Sequence, residues 1–575
     1  MDGQIQHNVL GSQDKYLTGN PQITFFKSVY RRHTNFAIES RKLNFSNSTT
    51  WGQESTTKVT YGGHLIHKIY LQAQLPKIDL VVNNNYKAFR WLNWVGHKLI
   101  KNAELIINGT KIDSQDGEWL HIWNELSQKA GKKEGYAEMV GNVPRLTQIH
   151  SAHNSTNDDK TVNVLESYNL YVPLQFWFCK NPGLSLPLIS LHSSDIEITI
   201  TFEKLNKLIW ATEENNSKIR VNTGTDIFNK EPLLTNTYLY ADYIYLDDDE
   251  KKRFINNSHE YLIEQVQERG VQNFIQGGTI RTFPINFTHP IKELIWRIQP
   301  VDFTNNEYCQ SRGGKQWYNY TDQYDYSGFT GTPEPEFGPG MIGGRSSQNI
   351  WYGLPSVKLP FEKGIFEPNF SSDDTTDASD NTREWYWKRN TTSQSIPVSS
   401  TSNLKISGYD FISKYHSANL GTDANVYNNK NIENFMGNTS VIQNNVNNNS
   451  LGVWANPGSN MRLTDSGKNP TSHATIELGG LNRIHLREGF YFNVMQPYHH
   501  HTNIPSVGIN VYSFSLDPED HQPSGSCNFS RIKDSQIIIN LSNKAMNRSV
   551  EMKVYALSYN IFSIQNGIGK LSFST

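Results

Sequence analysis

The sequence predicts an all-β protein of more than one domain, in which strands and loops outweigh helices. Its 575 residues are too many for one ordinary domain. Aromatic residues make up 12% of the chain, and Asn, Ser and Thr are frequent, a composition that suits strands and loops better than helices. Short segments with apolar residues at alternate positions recur along the chain, which is the spacing of a half-buried strand.

Charge and cysteine content exclude several classes of protein. The chain has 53 Lys and Arg against 55 Asp and Glu, which argues against DNA packaging by phosphate neutralisation, and we predict no direct sequence-specific binding of nucleic acid. Three widely spaced cysteines without a CxxC pair predict neither a disulfide framework nor a structural zinc site. Residues 1–10 do not resemble a signal peptide and no long apolar stretch occurs, so we expect a protein kept in a reducing cytosol.

The first half of the chain contains the clearest local signals. Strands are predicted at residues 23–26, after a turn, and at residues 65–76, where alternate residues are apolar. Asn108-Gly109 lies between two apolar arms and predicts a tight hairpin, since this dipeptide tolerates positive φ angles. Residues 117–130 predict a helix with one apolar face, formed by Trp119, Ile122, Trp123 and Leu126.

Further strands and one connector follow. The strands are predicted at residues 170–178, 194–203 and 237–246. Residues 250–267 predict a helical connector whose apolar residues are Phe254, Leu262 and Val266.

Two of these strands have echoes later in the chain. Residues 291–300 resemble residues 65–76, and residues 554–562 resemble residues 238–245. The echoes indicate a tandem duplication, with a second unit that is longer by roughly 90 residues. The extra length falls at about residues 303–473, which are rich in Gly, Asn, Ser, Thr and Pro and predict long surface loops pinned to the body by isolated aromatic residues.

No motif supports catalysis or cofactor binding. Residues 338–343 match GxGxxG, but prolines surround the motif and no βαβ pattern is near, which favours a loop. Residues 499–501 are three adjacent histidines, which would point to alternating faces of an extended segment and are predicted to face solvent. Residues 247–250 are acidic and predict the first turn of a helix, and residues 31–33 are too short a basic patch for nucleic acid, which favours strand-end or interface pairing. We therefore assign no catalytic, cofactor-binding or metal-ligating residue, and no cofactor.

Several longer blocks resemble the major capsid proteins of nucleocytoplasmic large DNA viruses. Residues 16–36 are similar to the N-terminal signature of that family. The resemblance covers both ends and both units, while residues 303–473 show no family pattern. Its other blocks are residues 119–126, 173–178, 181–188, 240–246, 259–265, 505–515, 521–532 and 555–569.

The resemblance implies a double jelly roll, that is, two tandem eight-stranded antiparallel sandwiches with short helices and a long loop insertion in the second. It implies an N-terminal arm at residues 1–26, a first jelly roll at 27–246, and a connector and second jelly roll at 247–575. Phe176, Trp177 and Phe178 are candidates for the first core. It further implies a structural protein, not an enzyme, that forms pseudo-hexagonal homotrimeric capsomers tiling the icosahedral shell of a large double-stranded DNA virus.

The partners implied by the resemblance are two further copies of the chain, neighbouring capsomers, and minor capsid and penton proteins. The long loops of the second unit would lie on the outer surface, and the N-terminal stretch would lie inward, near minor capsid proteins or an inner membrane. The protein would be made in the host cytoplasm and reside in the virion capsid.

Two other functions stay open on the residues alone. Exposed Trp and Tyr residues could stack on sugars in a carbohydrate-binding β-sandwich. A β-sandwich hydrolase would need a cleft with convergent carboxylates of perturbed pKa.

Overall fold

A computed structural model describes most of the chain outside the predicted insertion. The described residues are 2–79, 86–147, 150–151, 164–213, 232–305, 314–323 and 468–573, with five short strands between residues 341 and 407. Among these residues, no helix has both the length and the apolar character needed to cross a membrane.

The first unit is built on two antiparallel sheets. One sheet has the strand order β1-β14-β3-β10, with β11 paired to β3, and the other has the order β2-β12-β6-β7. Two smaller sheets, β13-β5-β8 and β4-β9, lie in the connections. The strands are β1 (Phe36–Leu43), β2 (Glu54–Lys58), β3 (Leu65–Leu75), β4 (Ile78–Asp79), β5 (Tyr86–Trp91), β6 (Ile100–Ile107), β7 (Thr110–Gln115), β8 (His150–Ser151), β9 (Val164–Leu165), β10 (Tyr168–Pro173), β11 (Leu186–Pro187), β12 (Ile196–Phe202), β13 (Ile209–Glu213) and β14 (Thr235–Leu246).

The second unit repeats this arrangement. Its sheets have the orders β15-β28-β17-β25, with β26 and β29 on its flanks, and β16-β27-β23-β24. The strands are β15 (His259–Phe274), β16 (Ile280–Pro284), β17 (Pro290–Pro300), β18 (Met341–Ile342), β19 (Ile350–Trp351), β20 (Gly364–Pro368), β21 (Trp385–Arg389), β22 (Ile406–Ser407), β23 (Thr471–Leu478), β24 (Leu481–Glu488), β25 (Ile509–Ser513), β26 (Cys527–Asn528), β27 (Gln536–Leu541), β28 (Val550–Gln565) and β29 (Ile568–Leu571).

The described helices are short; two precede the first strand, and the others lie in the connections between strands. They are α1 (Asp2–Asn8), α2 (Asp14–Thr18), α3 (Val95–Leu99), α4 (Gly117–Ser127), α5 (Lys133–Met139), α6 (Pro144–Thr147), α7 (Trp177–Lys180), α8 (Asp248–Asn256), α9 (Gln496–His500) and α10 (Asn543–Met546). A π-helical turn, Tyr491–Met495, runs directly into α9. Single 3₁₀ turns occur at Ala130–Lys132, Pro182–Leu184, Leu188–Ser190, Leu205–Lys207, Val301–Phe303 and Phe529–Arg531.

The strands of the two main sheets correspond between the units, which confirms the predicted duplication and the double jelly roll. Strand β14 pairs with both β1 and β3 in the first unit, as β28 pairs with both β15 and β17 in the second. Strand β11 pairs with the start of β3 as β26 pairs with the start of β17, which aligns Ile66 with Ile291. The strand segments that resemble each other in sequence are therefore structural counterparts: β3 corresponds to β17, and β14 corresponds to β28.

Antiparallel pairing gives the first unit two distinct ends. Phe36, at the start of β1, lies opposite Leu246, at the end of β14. The N-terminal residues therefore enter the unit at this end, which we call the arm end. We call the opposite end of the first unit, where β3 finishes, the loop end. The ends of the second unit are named in the same way, so that β17, the counterpart of β3, finishes at its loop end.

The arm ends of the two units adjoin. Tyr61, just before β3, donates its hydroxyl to the Ser194 carbonyl at 3.0 Å. Ser194 in turn donates its hydroxyl at 3.0 Å to the carbonyl of Gly567, in the turn between β28 and β29. The long excursion that follows β17 consequently starts at the end of the molecule opposite to the N-terminal arm.

Each unit has its own hydrophobic core between its two sheets. Leu71 and Leu239 from one sheet pack with Leu105 and Ile198 from the other in the first unit, and all four are fully buried. Phe176, Trp177 and Phe178 are buried in the same core, as predicted. Residues of the second core include Leu294, Trp296, Ile476, Ile539 and Val554.

The predicted hairpin and helix are confirmed. Asn108 and Gly109 have φ angles of 52° and 73°, the left-handed pair that a two-residue turn between β6 and β7 requires. Helix α4 begins at Gly117 as predicted and ends at Ser127, three residues before the predicted end. The acidic residues at 247–250 form the first turn of α8, where Asp247 accepts the backbone N–H of Asp248.

The predicted helical connector at residues 250–267 is wrong in its second half. Helix α8 stops at Asn256, and from His259 the chain is part of strand β15. This strand pairs with β28 over most of its 16 residues, and the pairing buries Ile263 and Gln265 at alternate positions. The long strand partner therefore overrides the weak helical spacing of Leu262 and Val266.

Two strand predictions in the first unit also need correction. Residues 23–26 form no strand and are exposed, since no described strand lies beside them to supply hydrogen bonds. The strand predicted at 170–178 ends at Pro173, and residues 177–180 form helix α7. This turn carries the aromatic residues into the core, while the other face of β3 stays partly exposed at Lys68, Tyr70 and Gln74, as expected of a half-buried strand.

Most of the predicted insertion, including four of the six residues of the GxGxxG motif, lies outside the described residues. Its described strands pair as β18-β19 and β21-β20-β22. Strand β23, the next strand of the main sheets, begins at Thr471.

Gly117 provides a test of the close packing at the start of α4. A Cβ at this position would lie 2.0 Å from the His97 carbonyl oxygen. We expect Gly117→Ala to lower the free energy of unfolding by about 1–3 kcal/mol, because backbone atoms cannot move aside cheaply. Denaturant unfolding followed by circular dichroism measures this.

Gly135→Ala is the matched control, because Gly135 lies in helix α5 with no atom within 4 Å of the added Cβ. That change should stabilise the helix by about 0.5–1 kcal/mol. Equal stability of Gly117→Ala and the wild type would contradict the packing described above.

Candidate functional site

The contact between the two units is organised by helix α4. The helix follows β7 directly, and the Asp116 carboxylate caps it by accepting the Trp119 backbone N–H at 2.7 Å. Leu120 points into the core of the first unit. The predicted apolar face packs instead against the second unit, and its members are Trp119, Ile122, Trp123 and Leu126.

The receiving surface is the outer face of the sheet β15-β28-β17-β25. Trp119 meets Tyr555 with ring centroids 5.5 Å apart. The other receiving residues are almost completely buried, and they are Ile295, Ile509, Val511 and Leu557. A face that would point to solvent in an isolated jelly roll is thus covered by a helix of its neighbour.

Buried ion pairs flank this apolar contact. Arg297, on β17, donates from Nε to Glu118 Oε1 at 2.5 Å and from a second nitrogen to Glu118 Oε2 at 3.1 Å. It also donates to Glu551 at 2.7 Å. The two parallel bonds to Glu118 join the first turn of α4 to the second unit in one fixed orientation.

A second cation extends the cluster. Lys553, on β28, contacts Asp116 directly and lies 3.1 Å from Glu268. Tyr555 donates its hydroxyl to the same Asp116 carboxylate at 2.9 Å. Asp116, which caps α4, therefore also bonds to side chains of the second unit.

The cluster keeps its charges although it is buried. Burial raises the pKa of Glu118, but the positive charges of Arg297 and Lys553 outweigh burial and lower this pKa to about 2. Burial likewise disfavours the charged form of Lys553, yet Asp116 and Glu118 raise its pKa. Among the described residues, removal of Arg297 would leave Glu118 with only the longer ion pair to Lys553, at 3.6 Å.

A cavity of about 210 Å³ lies beside the cluster. Its lining carries both signs of charge, so it favours no single charged ligand. The insertion covers it partly, because Trp317 and Tyr318 line it and Trp317 donates its indole N–H to the Lys207 carbonyl at 2.7 Å. These are the aromatic contacts that were predicted to pin the insertion to the body.

A second set of ion pairs links the units nearer to the arm end. Glu264, on β15, contacts Lys292 of its own unit and lies 3.0 Å from Lys180 of the first unit. Burial raises the pKa of Glu264, but the two lysines lower it below its usual value. Trp177 meets Phe562 next to these residues, with ring centroids 5.9 Å apart.

The three histidines do not behave as predicted. They lie at the end of α9 instead of on an extended segment, and His501 is buried. Its Nε2 lies 2.8 Å from Glu293 and its Nδ1 lies 2.9 Å from Glu519. Because the helix turns the chain inward at its end, only His499 keeps the predicted exposed position.

The remaining sequence signals do not converge on this site. Residues 31–33 are exposed in the segment that precedes β1. No group of three or more His, Cys, Asp or Glu side chains among the described residues could hold a metal ion. The ion cluster was not predicted from the sequence, although Arg297 and Lys553 are charged residues within mainly apolar strands.

Removing the Arg297 charge tests the ion cluster. We expect Arg297→Met to lower the free energy of unfolding by about 3–5 kcal/mol, because Glu118 is left buried without its main partner. Chemical denaturation of the purified protein measures the loss.

Lys77→Met is the control, since Lys77 pairs with Glu166 at the surface with both side chains more than half exposed. It should have a much smaller effect. The double variant Glu118→Gln/Arg297→Met should regain part of the loss, and an Arg297→Met protein as stable as Lys77→Met would show that the cluster does not hold the units together.

His501 predicts a pH dependence. Burial lowers its pKa, but Glu293 and Glu519 outweigh burial and raise the pKa to about 9. Folding therefore favours the protonated imidazole, so its contribution is complete below about pH 6.5 and is lost as the pH rises through about 9. The stability difference between wild type and His501→Gln should be largest below pH 6.5 and should shrink by pH 10, as measured by denaturation at each pH.

His499→Gln is the control for this series, because His499 is exposed on the same helix. A stability difference for His501→Gln that is the same at pH 6 and pH 10 would rule out the protonated imidazole.

Comparison with known proteins identifies the family to which this arrangement belongs. A family model described as "Major capsid protein N-terminus" matches residues 24–247, and one described as "Large eukaryotic DNA virus major capsid protein" matches residues 369–570. The major capsid protein of Phaeocystis pouchetii virus is 34% identical, and the alignment covers 100% of this chain and 99% of that protein.

Solved structures share the fold. A quasi-atomic structure of the PBCV-1 virus capsid matches with a TM-score of 0.57 at 22% identity, covering 96% of this chain and 100% of the other. The Faustovirus major capsid protein matches with a TM-score of 0.58 at 12% identity, covering 98% and 96% of the two chains. The relatives are structural proteins and not enzymes, so the hydrolase alternative is wrong. The chain belongs to the major capsid proteins of large eukaryotic DNA viruses, and it is a double jelly-roll protein that forms the capsid of the virion.

Proposed function

We propose that three copies of this chain form a pseudo-hexagonal homotrimeric capsomer, and that such capsomers tile the faces of an icosahedral shell. The observation that carries this proposal is the internal repeat. Two units of the same strand order lie side by side with their arm ends together. Three copies therefore offer six similar units, which is what a hexagonal lattice requires of its building block.

The polarity of the fold supports an outward loop end and an inward arm end. The insertion leaves β17 at the loop end, where long loops can reach the outer surface. The N-terminal arm starts from the opposite end and exposes many large apolar side chains, among them Tyr16, Leu17, Phe25 and Phe26. We propose that this arm, residues 1–26, meets minor capsid proteins or the inner membrane.

The remaining parts of the proposal concern organisation and assembly. We assign residues 27–246 to the first jelly roll and residues 247–575 to the connector and second jelly roll, with the insertion at about 303–473. Capsomers would contact each other and the penton proteins through smaller and more polar surfaces than those within the trimer. Synthesis in the host cytoplasm would precede assembly.

The solution mass of the purified protein tests the capsomer. Light scattering should give a stable species near three times 65.7 kDa. Mild acid and added salt should leave this species intact while they change its association into larger arrays, because the contacts between capsomers are the weaker ones. A clean monomer under all these conditions would overturn the homotrimer.

A further inference from the structure

We propose that residues 490–500 of one copy dock on the tyrosine-rich outer sheet face of the first unit of a second copy. This contact would repeat, between chains, the contact that α4 makes within the chain. The inference rests on the proposed homotrimer and names the two surfaces that build it.

The segment after β24 is the structural counterpart of α4. Both follow the same strand of their unit, and both begin with a glycine in close contact with a backbone carbonyl: a Cβ on Gly489 would lie 1.9 Å from the Thr471 oxygen, as one on Gly117 would meet His97. Three residues further on, Leu120 and Phe492 are each fully buried in the core of their own unit. The two segments therefore share their orientation as well as their place in the fold.

This alignment pairs the interface side of α4 with an exposed apolar stripe. The counterparts of Ile122, Trp123 and Leu126 are Val494, Met495 and Tyr498. Met495 is 39% and Tyr498 69% exposed, whereas Trp123 and Leu126 are buried under the second unit. The counterpart of Glu118 is Phe490, which is 61% exposed. The second unit thus presents the same contact positions with nothing among the described residues to cover them.

The first unit presents the matching sheet face. The strand registers place Tyr70 opposite Tyr240 in the first unit where Ile295 lies opposite Tyr555 in the second. The same registers pair Tyr171 with Ile509 and Tyr238 with Lys553 as counterparts. Four half-buried tyrosines therefore occupy the positions that receive α4 in the other unit.

The tyrosines form one continuous surface. The Tyr70 and Tyr240 rings stack with centroids 5.3 Å apart, and Tyr171 and Tyr238 lie within 6.3 Å of this pair. Gln72 donates its side-chain amide to the Tyr238 hydroxyl at 2.8 Å. A preformed aromatic surface of this kind binds aromatic and thioether side chains with little loss of conformational freedom.

The partner that fits each of these two surfaces is a second copy of the chain. The stripe lies on the second unit and the tyrosine face on the first, so each copy offers one surface of each kind. Such a head-to-tail contact continues from copy to copy, and in the proposed homotrimer each copy would be turned by a third of a rotation, which closes the contact into a ring. Phe490 and Gln72 stand where Glu118 and Arg297 pair within the chain, so the contact between copies loses that ion pair and is mainly aromatic. Lys42, whose Nζ lies 3.6 Å over the Tyr238 ring, places a positive charge on the tyrosine face.

Charged substitutions in the stripe provide the first test. In Met495→Glu/Tyr498→Glu, the trimer should dissociate at protein concentrations more than about tenfold higher than those at which the wild type dissociates, because two carboxylates would be buried against tyrosine rings. Light scattering over a dilution series measures this. Ile275→Glu is the control, since Ile275 is 83% exposed and lies on neither surface.

Thiol cross-linking provides the second test and does not depend on dissociation. Tyr491 and Tyr240 are the counterparts of Trp119 and Tyr555, whose rings touch. Tyr491→Cys/Tyr240→Cys, treated with a short bismaleimide, should give covalent dimers and trimers, whereas neither single variant should do so beyond the background of the native cysteines.

The two tests separate the surface from the homotrimer. A wild-type protein that stays monomeric would overturn the proposed function and this inference together. A wild-type trimer that tolerates both glutamates and gives no cross-link would overturn the docking surface and leave the homotrimer standing.

Discussion

Helix α4 has to satisfy two hydrophobic cores at once, and this requirement fixes how the two jelly rolls sit together. Leu120 belongs to the core of the first unit, while Trp119 and Trp123 belong to the contact with the second. The units cannot separate without exposing two tryptophans and breaking the pairs of Glu118 and Asp116 with cations of the second unit. Apolar packing and buried ion pairs therefore hold the two units in one relative arrangement.

The buried ion pairs add specificity to this contact. Apolar side chains alone would tolerate small shifts of the helix along the sheet, but a buried carboxylate must meet its cation or pay a large desolvation penalty. Asp116 caps the helix and contacts Lys553 and Tyr555, so the start of the helix and its position on the second sheet are set by the same side chain. The glycine that follows allows the backbone to approach closely enough for these contacts.

Much of the fold could be predicted from the sequence, because strands with strict alternation, the Asn108-Gly109 turn and the apolar face of α4 are local signals. What covers that face could not be predicted, since the receiving strands lie far away in the chain. The prediction of a helical connector was wrong for a related reason. The apolar residues of 259–267 fit neither helical nor strand spacing clearly, and pairing with the long strand β28 makes this segment a strand. Similarly, the exposed apolar residues at 23–26 match a strand locally, yet the fold supplies no neighbouring strand for them.

The repeat also explains why its two contacts differ in chemistry. The contact within the chain forms once, while the chain folds, and its partners are held at high effective concentration, so it can include buried charges. In the proposed trimer, the corresponding contact must form between subunits that have already folded, and desolvating an ion pair would then oppose association. Replacing Glu118 and Arg297 by Phe490 and Gln72 at the equivalent positions removes this cost. The two jelly rolls differ at these positions. This difference would allow the same packing arrangement to form one contact within the chain and another between subunits.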